Sequence, residues 1–431
     1  MQFRPEMYIR RCVVKSSIVA TGWGNACFAG IGPLLACAAM LISGFAVARN
    51  DQRANAVMAG TCSAADVQAA LSAVVTPGGT VVLPSGTCDW GSQTVTLDMK
   101  NMDVHLRGAG KGTGGTLIRR SSAGNVSYAL TFNCATGSGG VELSDIAFEG
   151  RATTDILDAG LLLAHSCRDF RIHDASFSKF VKSGVETRGT DSRGVIYQSD
   201  FADNYDPGHP SDGEGYGVVV YGDDTAGPRA TYTLGSAEAV FIENSYFRQN
   251  RHSIASNYNS RYVARYNEFI TTNTTRNTGM VDAHGKSNSN HHGSRSWEIY
   301  ENSLYFDGDG YQADGISIRG GDGVVFNNIL GGSKITGLTI AYVLQLVTEN
   351  GCPSGGEPPV VEQTEHAWIW GNTWMQTVAQ QGVTVRTPGD CASYFRLGQE
   401  YFLSASSGYL PYVYPHPLRG IVDRIFRSGF E

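Results

Sequence analysis

Seven segments of the chain share one spacing of apolar and small polar positions: 172–177, 196–201, 242–247, 264–269, 299–304, 325–330 and 369–374, with Leu143 to Phe148 opening the series. Each ends on a large apolar residue: Phe177, Phe201, Phe247, Phe269, Leu304, Leu330 or Trp374. Counted from Phe148, these last positions fall 29, 24, 46, 22, 35, 26 and 44 residues apart, a unit of 22 to 29 residues with insertions. Short strands at that period cannot bury an apolar face alone, so they stack into a solenoid. Asn267, Asn302, Asn328 and Asn372 fall at equivalent turns, where stacked amides bond to one another and to the turn backbone.

A second set of segments lies between these: 184–189, 217–222, 253–258, 280–285 and 315–320. Side chains alternate across a strand, so Val185, Val218, Ile254, Val281 and Ile316 are expected to turn inward together. Thr187, Val220, Ser256, Ala283 and Ile318 follow them. The outward column then reads Arg188, Tyr221, Asn257, His284 and Arg319, beside Glu186, Val219, Ala255, Asp282 and Ser317.

The ends break the pattern. Ser63 to Asp66 reads as a helix start with Val67, Leu71 and Val74 behind it, a short element expected to cap the core. After Trp374 the chain leaves the repeat, and the proline-rich stretch from Tyr409 to Leu418 is expected to pack as an extended tail. The boundaries expected are 1–48 for a leader, 62–417 for the repeat domain with its tail, and 418–431 for a terminal segment. At 431 residues with 53 glycines, one elongated all-β unit accounts for the length.

Residues 26–48 carry no charge, follow Arg4, Arg10, Arg11 and Lys15, and end in Ala46, Val47 and Ala48. That is the pattern of a secretory leader, placing the protein outside the cell or in the periplasm; a retained anchor is the other reading of so long a run. Six cysteines lie beyond it. Cys62 with Cys88 would staple the first element and Cys352 with Cys391 a late insertion, while Cys134 and Cys167 either pair across coils or stay buried thiols.

The segments 251–257, 262–267, 281–285 and 298–302 are similar to those of bacterial secreted β-helix proteins grouped with polysaccharide lyases. From Cys62 to Pro417 the chain resembles the right-handed parallel β-helix proteins of the pectate-lyase-like superfamily. The resemblance implies an all-β fold, a single-stranded right-handed parallel β-helix with a short N-terminal capping helix. It also implies a secreted lyase that cleaves a uronic-acid-containing polysaccharide by β-elimination. The lysine-centred signature and acidic calcium cluster of the alginate and chondroitin B lyases are not recognisable here, nor is the paired-aspartate motif of the polygalacturonases. Activity must therefore be argued from the site.

The formal charge is −7, and losing the leader's net +3 takes it to −10, which disfavours nucleic acid as a partner. Between Arg248 and Arg319 the balance is locally basic, which suits an anionic polysaccharide. Arginine neutralises a carboxylate, histidine titrates near working pH and tyrosine can protonate a leaving oxygen. His284 is thus the expected base, Arg319 the neutraliser and Tyr221 the acid, with His252 close behind as an alternative base. Arg188, Asn257, Asp282, Lys286 and Arg295 are expected to bind substrate. One outward cation on a solenoid is ordinary solvated surface; five aligned positions are the reason for this assignment. Arg261 and Arg265, on another strand, are read as partners of Glu268 or Glu243.

No cofactor is required by this chemistry and no metal site is expected. Asp307 to Asp314 has oxygens spaced for calcium, although a solvated glycine turn is the plainer reading. His291 and His292 lack further zinc ligands at a suitable spacing. A monomer is expected, free of the membrane once the leader is removed. The alternatives are a glycoside hydrolase using Asp282 with Asp314 or Glu186, a uronate C5-epimerase, and a non-catalytic glycan-binding surface protein.

Overall fold

A computed structural model describes residues 55–420 except 75–77, 123–126, 136, 138, 154–156, 209–213, 224–231, 272–279, 286–291, 307–314, 332–343, 347–363, 365, 375–384 and 387–394. Ten strands form one sheet in chain order, from Val95–Asp98 through Ser183–Arg188, Tyr216–Tyr221, His252–Asn257, Val281–Ala283 and Ile316–Ile318 to Val385–Arg386. Their pairings are parallel. The remaining strands pair, again in parallel, into a second, larger sheet. The chain is a parallel β-helix, and each coil contributes to both sheets.

The register of the ten-stranded sheet is the one alternation dictates. Val185 pairs with Val218, Val218 with Ile254, Ile254 with Val281 and Val281 with Ile316, all fully buried. On the other side of the core Phe148, Phe177, Phe201, Phe247 and Phe269 stack at 5.3, 5.5, 4.8 and 4.9 Å between ring centres. That is close to the spacing of hydrogen-bonded strands, so like side chains on successive coils meet face to face.

Each repeated segment crosses a turn rather than filling one strand, as Arg261–Arg265 and Glu268–Thr271 show. The residue ahead of each ladder asparagine has positive φ: Tyr266 57°, Glu301 55°, Asn327 52° and Gly371 64°. Left-handed backbone costs an ordinary residue about 1–2 kcal/mol, and the asparagines offset it. The Asn267 amide donates to Asn302 Oδ1 at 3.1 Å, Asn302 to Asn328 at 2.9 Å, and Asn328 to Asn372 at 2.9 Å. Each of these oxygens also accepts the backbone N–H of the previous asparagine. Asn302→Ala would leave the buried N–H groups of Asn267 unsatisfied and is expected to cost roughly 1–3 kcal/mol, read as a lower denaturation midpoint.

Ser63 caps the helix Ala64–Ala73, its hydroxyl accepting from the Asp66 N–H. Val67 and Leu71 are fully buried, so the helix covers the end of the core. Cys62 bonds to Cys88 and Cys134 to Cys167, which resolves the second pair as a disulfide. Cys352, Cys391 and the leader lie outside the described residues.

Three expectations are corrected. The fold begins before Cys62, because Asn55–Met58 pairs with Gly78–Val82. It also continues past Trp374: Leu344–Leu346 pairs with Val385–Arg386, and Ala367–Trp368 with Tyr401–Phe402. The two-residue strands Val385–Arg386 and Tyr401–Phe402 leave no alternation to read, which is why the sequence pattern stops early. Finally, Arg261 reaches Glu238 rather than Glu268.

The tail lies on the outer face of the larger sheet. Tyr409, Tyr412 and Leu418 pack on a second apolar layer that contains Phe241, Val263, Tyr300 and Phe326. Beneath the tail, fully buried Arg265 donates to Glu243 at 2.9 Å and to the carbonyls of Tyr412 at 2.6 Å and Val413 at 2.9 Å. Arg419 donates to Glu243 at 2.8 Å, so packing runs past the expected edge at residue 417.

Candidate functional site

Alternation supplies two outward columns per coil, but the outer face of the ten-stranded sheet carries a third. A Cβ on Gly184 would meet Phe177 Cβ at 2.8 Å, and one on Gly217 would meet Phe247 Cδ1 at 2.9 Å, so these glycines face the core. Val185 and Val218 also face it, and two successive inward positions turn the preceding residue outward. Tyr128, Ala159, Ser183, Tyr216 and His252 occupy this corner column in register.

At the N-terminal end of the face a polar network forms around buried Glu186. The Tyr128 hydroxyl donates to Glu186 Oε1 at 2.9 Å and accepts from Lys182 Nζ at 2.9 Å and Arg188 at 3.3 Å. Lys182 Nζ lies 3.2 Å from Glu186 Oε2, and Arg188 Nε donates to Glu186 Oε1. Burial alone would lower the Lys182 ammonium, but Glu186 and the Tyr128 phenol raise it. Lys182 and Arg188 thus face Glu186 directly, and Glu214 lies near enough to act on Lys182 as well.

Two to four coils further on, a second network gathers around Asp282. Arg319 grips it with both prongs, Nε to Oδ1 at 3.0 Å and Nη2 to Oδ2 at 2.6 Å. Burial works against the Asp282 charge, yet Arg319 first, then His252 and His284, outweigh it and hold the carboxyl well below the usual carboxylate range. His252 is buried and stacks on Tyr216, with ring centres 5.8 Å apart and planes within 5°. His284 Nδ1 lies 3.0 Å from the Gly285 carbonyl. A carbonyl only accepts, so Nδ1 carries a proton, and in the neutral ring Nε2 is then the nitrogen with the lone pair. Burial pushes the Tyr216 and Tyr221 phenols up, which keeps both protonated.

The structure therefore brings His284, Arg319, Asp282 and His252 together. Arg188 belongs to the first network, and Tyr221 lies with it, the guanidinium 5.9 Å from the ring centre. Asn257 is buried and its side-chain oxygen accepts the Tyr258 N–H, a role in the turn. Arg295 goes elsewhere, reaching Asp322 at 3.4 Å and covering the Tyr232 ring at 4.5 Å. There it lines a separate cleft of about 410 Å³ with Trp368 and Tyr409. Lys286, His291 and the stretch from Asp307 to Asp314, with its calcium reading, lie outside the described residues. Among the described residues no group of histidine, cysteine or acidic side chains is arranged to hold a metal.

Sequence reasoning missed Tyr128, Lys182, Glu214 and Tyr216. Burial pushes the Glu214 carboxyl up, with Lys182 opposing and Glu186 adding to the shift, and its Oε2 is buried without a hydrogen-bond partner. All four stand ahead of the aligned segments, at the corner where alternation slips by one. Glycine at 184 and 217 was the available signal.

No protein-family model matches the chain, and no curated protein matches it in sequence. Among solved structures it is similar to an alginate lyase from Paenibacillus sp. str. FPU-7, with a TM-score of 0.47 and 16% identity over 78% of this chain and 92% of that one. It is similar to DFA-IIIase from Arthrobacter chlorophenolicus A6 without its lid, at 0.47 and 15% over 74% and 86%. The Dettilon tailspike protein gives 0.44 and 12% over 74% and 62%. At such identities no activity carries over to this chain.

Proposed function

We propose that this chain is a secreted polysaccharide lyase of the pectate-lyase-like kind that cleaves an acidic, uronic-acid-containing glycan by β-elimination. The observation that carries the reading is the cluster of His284, Arg319 and His252 around buried Asp282, with Tyr216 stacked on His252. It supplies a lone-pair nitrogen, a guanidinium and a protonated phenol on one rigid face.

His284 Nε2 removes the proton α to the sugar carboxylate, and the C–H electrons form the new double bond. The bond to the 4-linked oxygen breaks, and the departing oxygen takes a proton, which Tyr216 donates. Tyr216 replaces Tyr221 as the acid because it stacks on His252, whose strand pairs with that of Asp282, whereas Tyr221 lies with Arg188 in the first network. Asp282 accepts from Arg319 Nε and Nη2 and so holds the guanidinium on this face, where its charge suits the carboxylate whose charge builds up.

Incubation with alginate, pectate, glucuronan and glycosaminoglycans is expected to release the ultraviolet absorbance of an unsaturated uronate from at least one polymer. Silence across the panel would count against the reading. A second reading has its own observation: Glu214 is pushed up while Asp282 is held down, the split that hydrolases use for acid and base. New reducing ends without absorbance would favour it, and solvent deuterium incorporation without cleavage would favour an epimerase.

A further inference from the structure

We infer that the cleft beside the Asp282 cluster is an acidic-sugar subsite, which seats the polymer about two coils from His284; this rests on the lyase reading. The cleft has a volume of about 750 Å³ and is lined by Leu162, Ala164, His165, Arg188, Tyr221 and Tyr258 among others. That is within the range of small-ligand sites. Glycines 189 and 222 form its rim. A Cβ on Gly222 would lie 2.0 Å from the Tyr258 carbonyl, and Gly189 has φ 119°, so no side chain obstructs the opening there.

Its walls divide the work of holding an acidic sugar. The Tyr221 and Tyr258 rings lie 5.0 Å apart and tilted by 39°, an apolar surface for the C–H face of a pyranose. Arg188 has its Nε on Glu186 and one amino group on the Tyr128 hydroxyl. Its side chain nevertheless stays 49% exposed, so its charge is available along the cleft wall. Lys182 offsets Glu186, so the guanidinium of Arg188 on the cleft wall is what a sugar carboxylate would meet. Asp223 at the rim supplies an acceptor suited to a sugar hydroxyl.

Position along the axis gives the cleft its function. Arg188, Tyr221 and Asn257 pair on successive coils, and His284 follows Ala283, whose coil pairs next. With coils about 4.8 Å apart, Tyr221 stands roughly 10 Å and Arg188 roughly 14 Å from the His284 coil. A glycan bound in the cleft and at His284 must span several sugar units. The cleft thus fixes which linkage meets the base, and selects for length and acidity.

The test uses size-defined acidic oligosaccharides from the polymer the enzyme cleaves. Tyr258→Ala is expected to raise KM about tenfold on oligosaccharides long enough to span both positions, with little change in kcat, and the penalty is expected to shrink on shorter ones. Tyr258→Phe keeps the ring and is expected to restore most of the loss, which separates stacking from misfolding. An equal penalty at every length, or none at any length, overturns the subsite. Calorimetry covers the case in which no polymer is turned over. Acidic oligosaccharides that bind and are weakened by Tyr258→Ala and Arg188→Gln support the cleft while the lyase reading falls. No binding, or equally tight binding of neutral oligosaccharides, overturns it.

Discussion

His284→Ala is expected to lower turnover of the cleaved polymer by about 10²- to 10⁴-fold, the usual worth of a positioned general base, while KM stays within a few-fold. The reason is geometric. The Gly285 carbonyl takes the Nδ1 proton, leaving Nε2 as the acceptor, and the ring lies half-buried one coil from Arg319. His252 has less freedom to act, since it is buried and stacked on Tyr216. His252→Ala is therefore expected to disturb Tyr216 and give a smaller loss. Steady-state kinetics on both variants checks the assignment: full activity in His284→Ala sinks it, and a larger loss in His252→Ala moves the base to that residue.

Arg265→Ala is expected to destabilise the fold by about 3–5 kcal/mol, the cost of breaking a buried ion pair from one side. Removal of the guanidinium leaves Glu243 with Arg419 and the His416 N–H as partners and strips a donor from the carbonyls of Tyr412 and Val413. Replacing Arg265 and Glu243 together by apolar residues is expected to recover part of that loss, because the fully buried pair is gone while Arg419 keeps Asn244 as an acceptor. Denaturant unfolding measures both variants. Acid weakens the same seam. Burial pushes the His416 imidazole down from 6.5 to about 4, so the folded tail prefers it neutral. Its contribution is complete above about pH 6.5 and is lost as the pH falls toward 4, where the unfolded chain binds the proton first. His416→Gln should flatten that part of the pH profile.

The sequence was most legible where a local rule governs the backbone. Alternation placed Val185, Val218, Ile254, Val281 and Ile316 in the observed register, and the asparagine spacing marked the turns. It also put Asp282, His284 and Arg319 on one face. The rest depended on contacts no short window contains. Tyr216 faces outward only because Gly217 turns into the space beside Phe247. Arg295 is drawn to Asp322 and Tyr232, 27 and 63 residues away in the sequence. The sequence offers Asp282 as a substrate ligand and Asp282 with Glu186 as a hydrolase's carboxylates, and nothing in the column shows that each grips neighbouring cations. Each in fact sets the geometry and charge of the cations beside it.

The tail described on the larger sheet has a consequence for how the molecule comes apart. In a solenoid each coil touches its neighbours, so stability is close to a sum of nearest-neighbour terms and the ends can peel away singly. The stretch from Tyr409 to Arg419 touches Phe241, Arg265, Glu298, Phe326 and Trp370, residues carried by five successive coils. It ties together coils that are not neighbours as well as those that are, as a splint does across several joints. Loss of one of these coils then costs the anchorage of the others, and this part of the solenoid should melt in a single cooperative step.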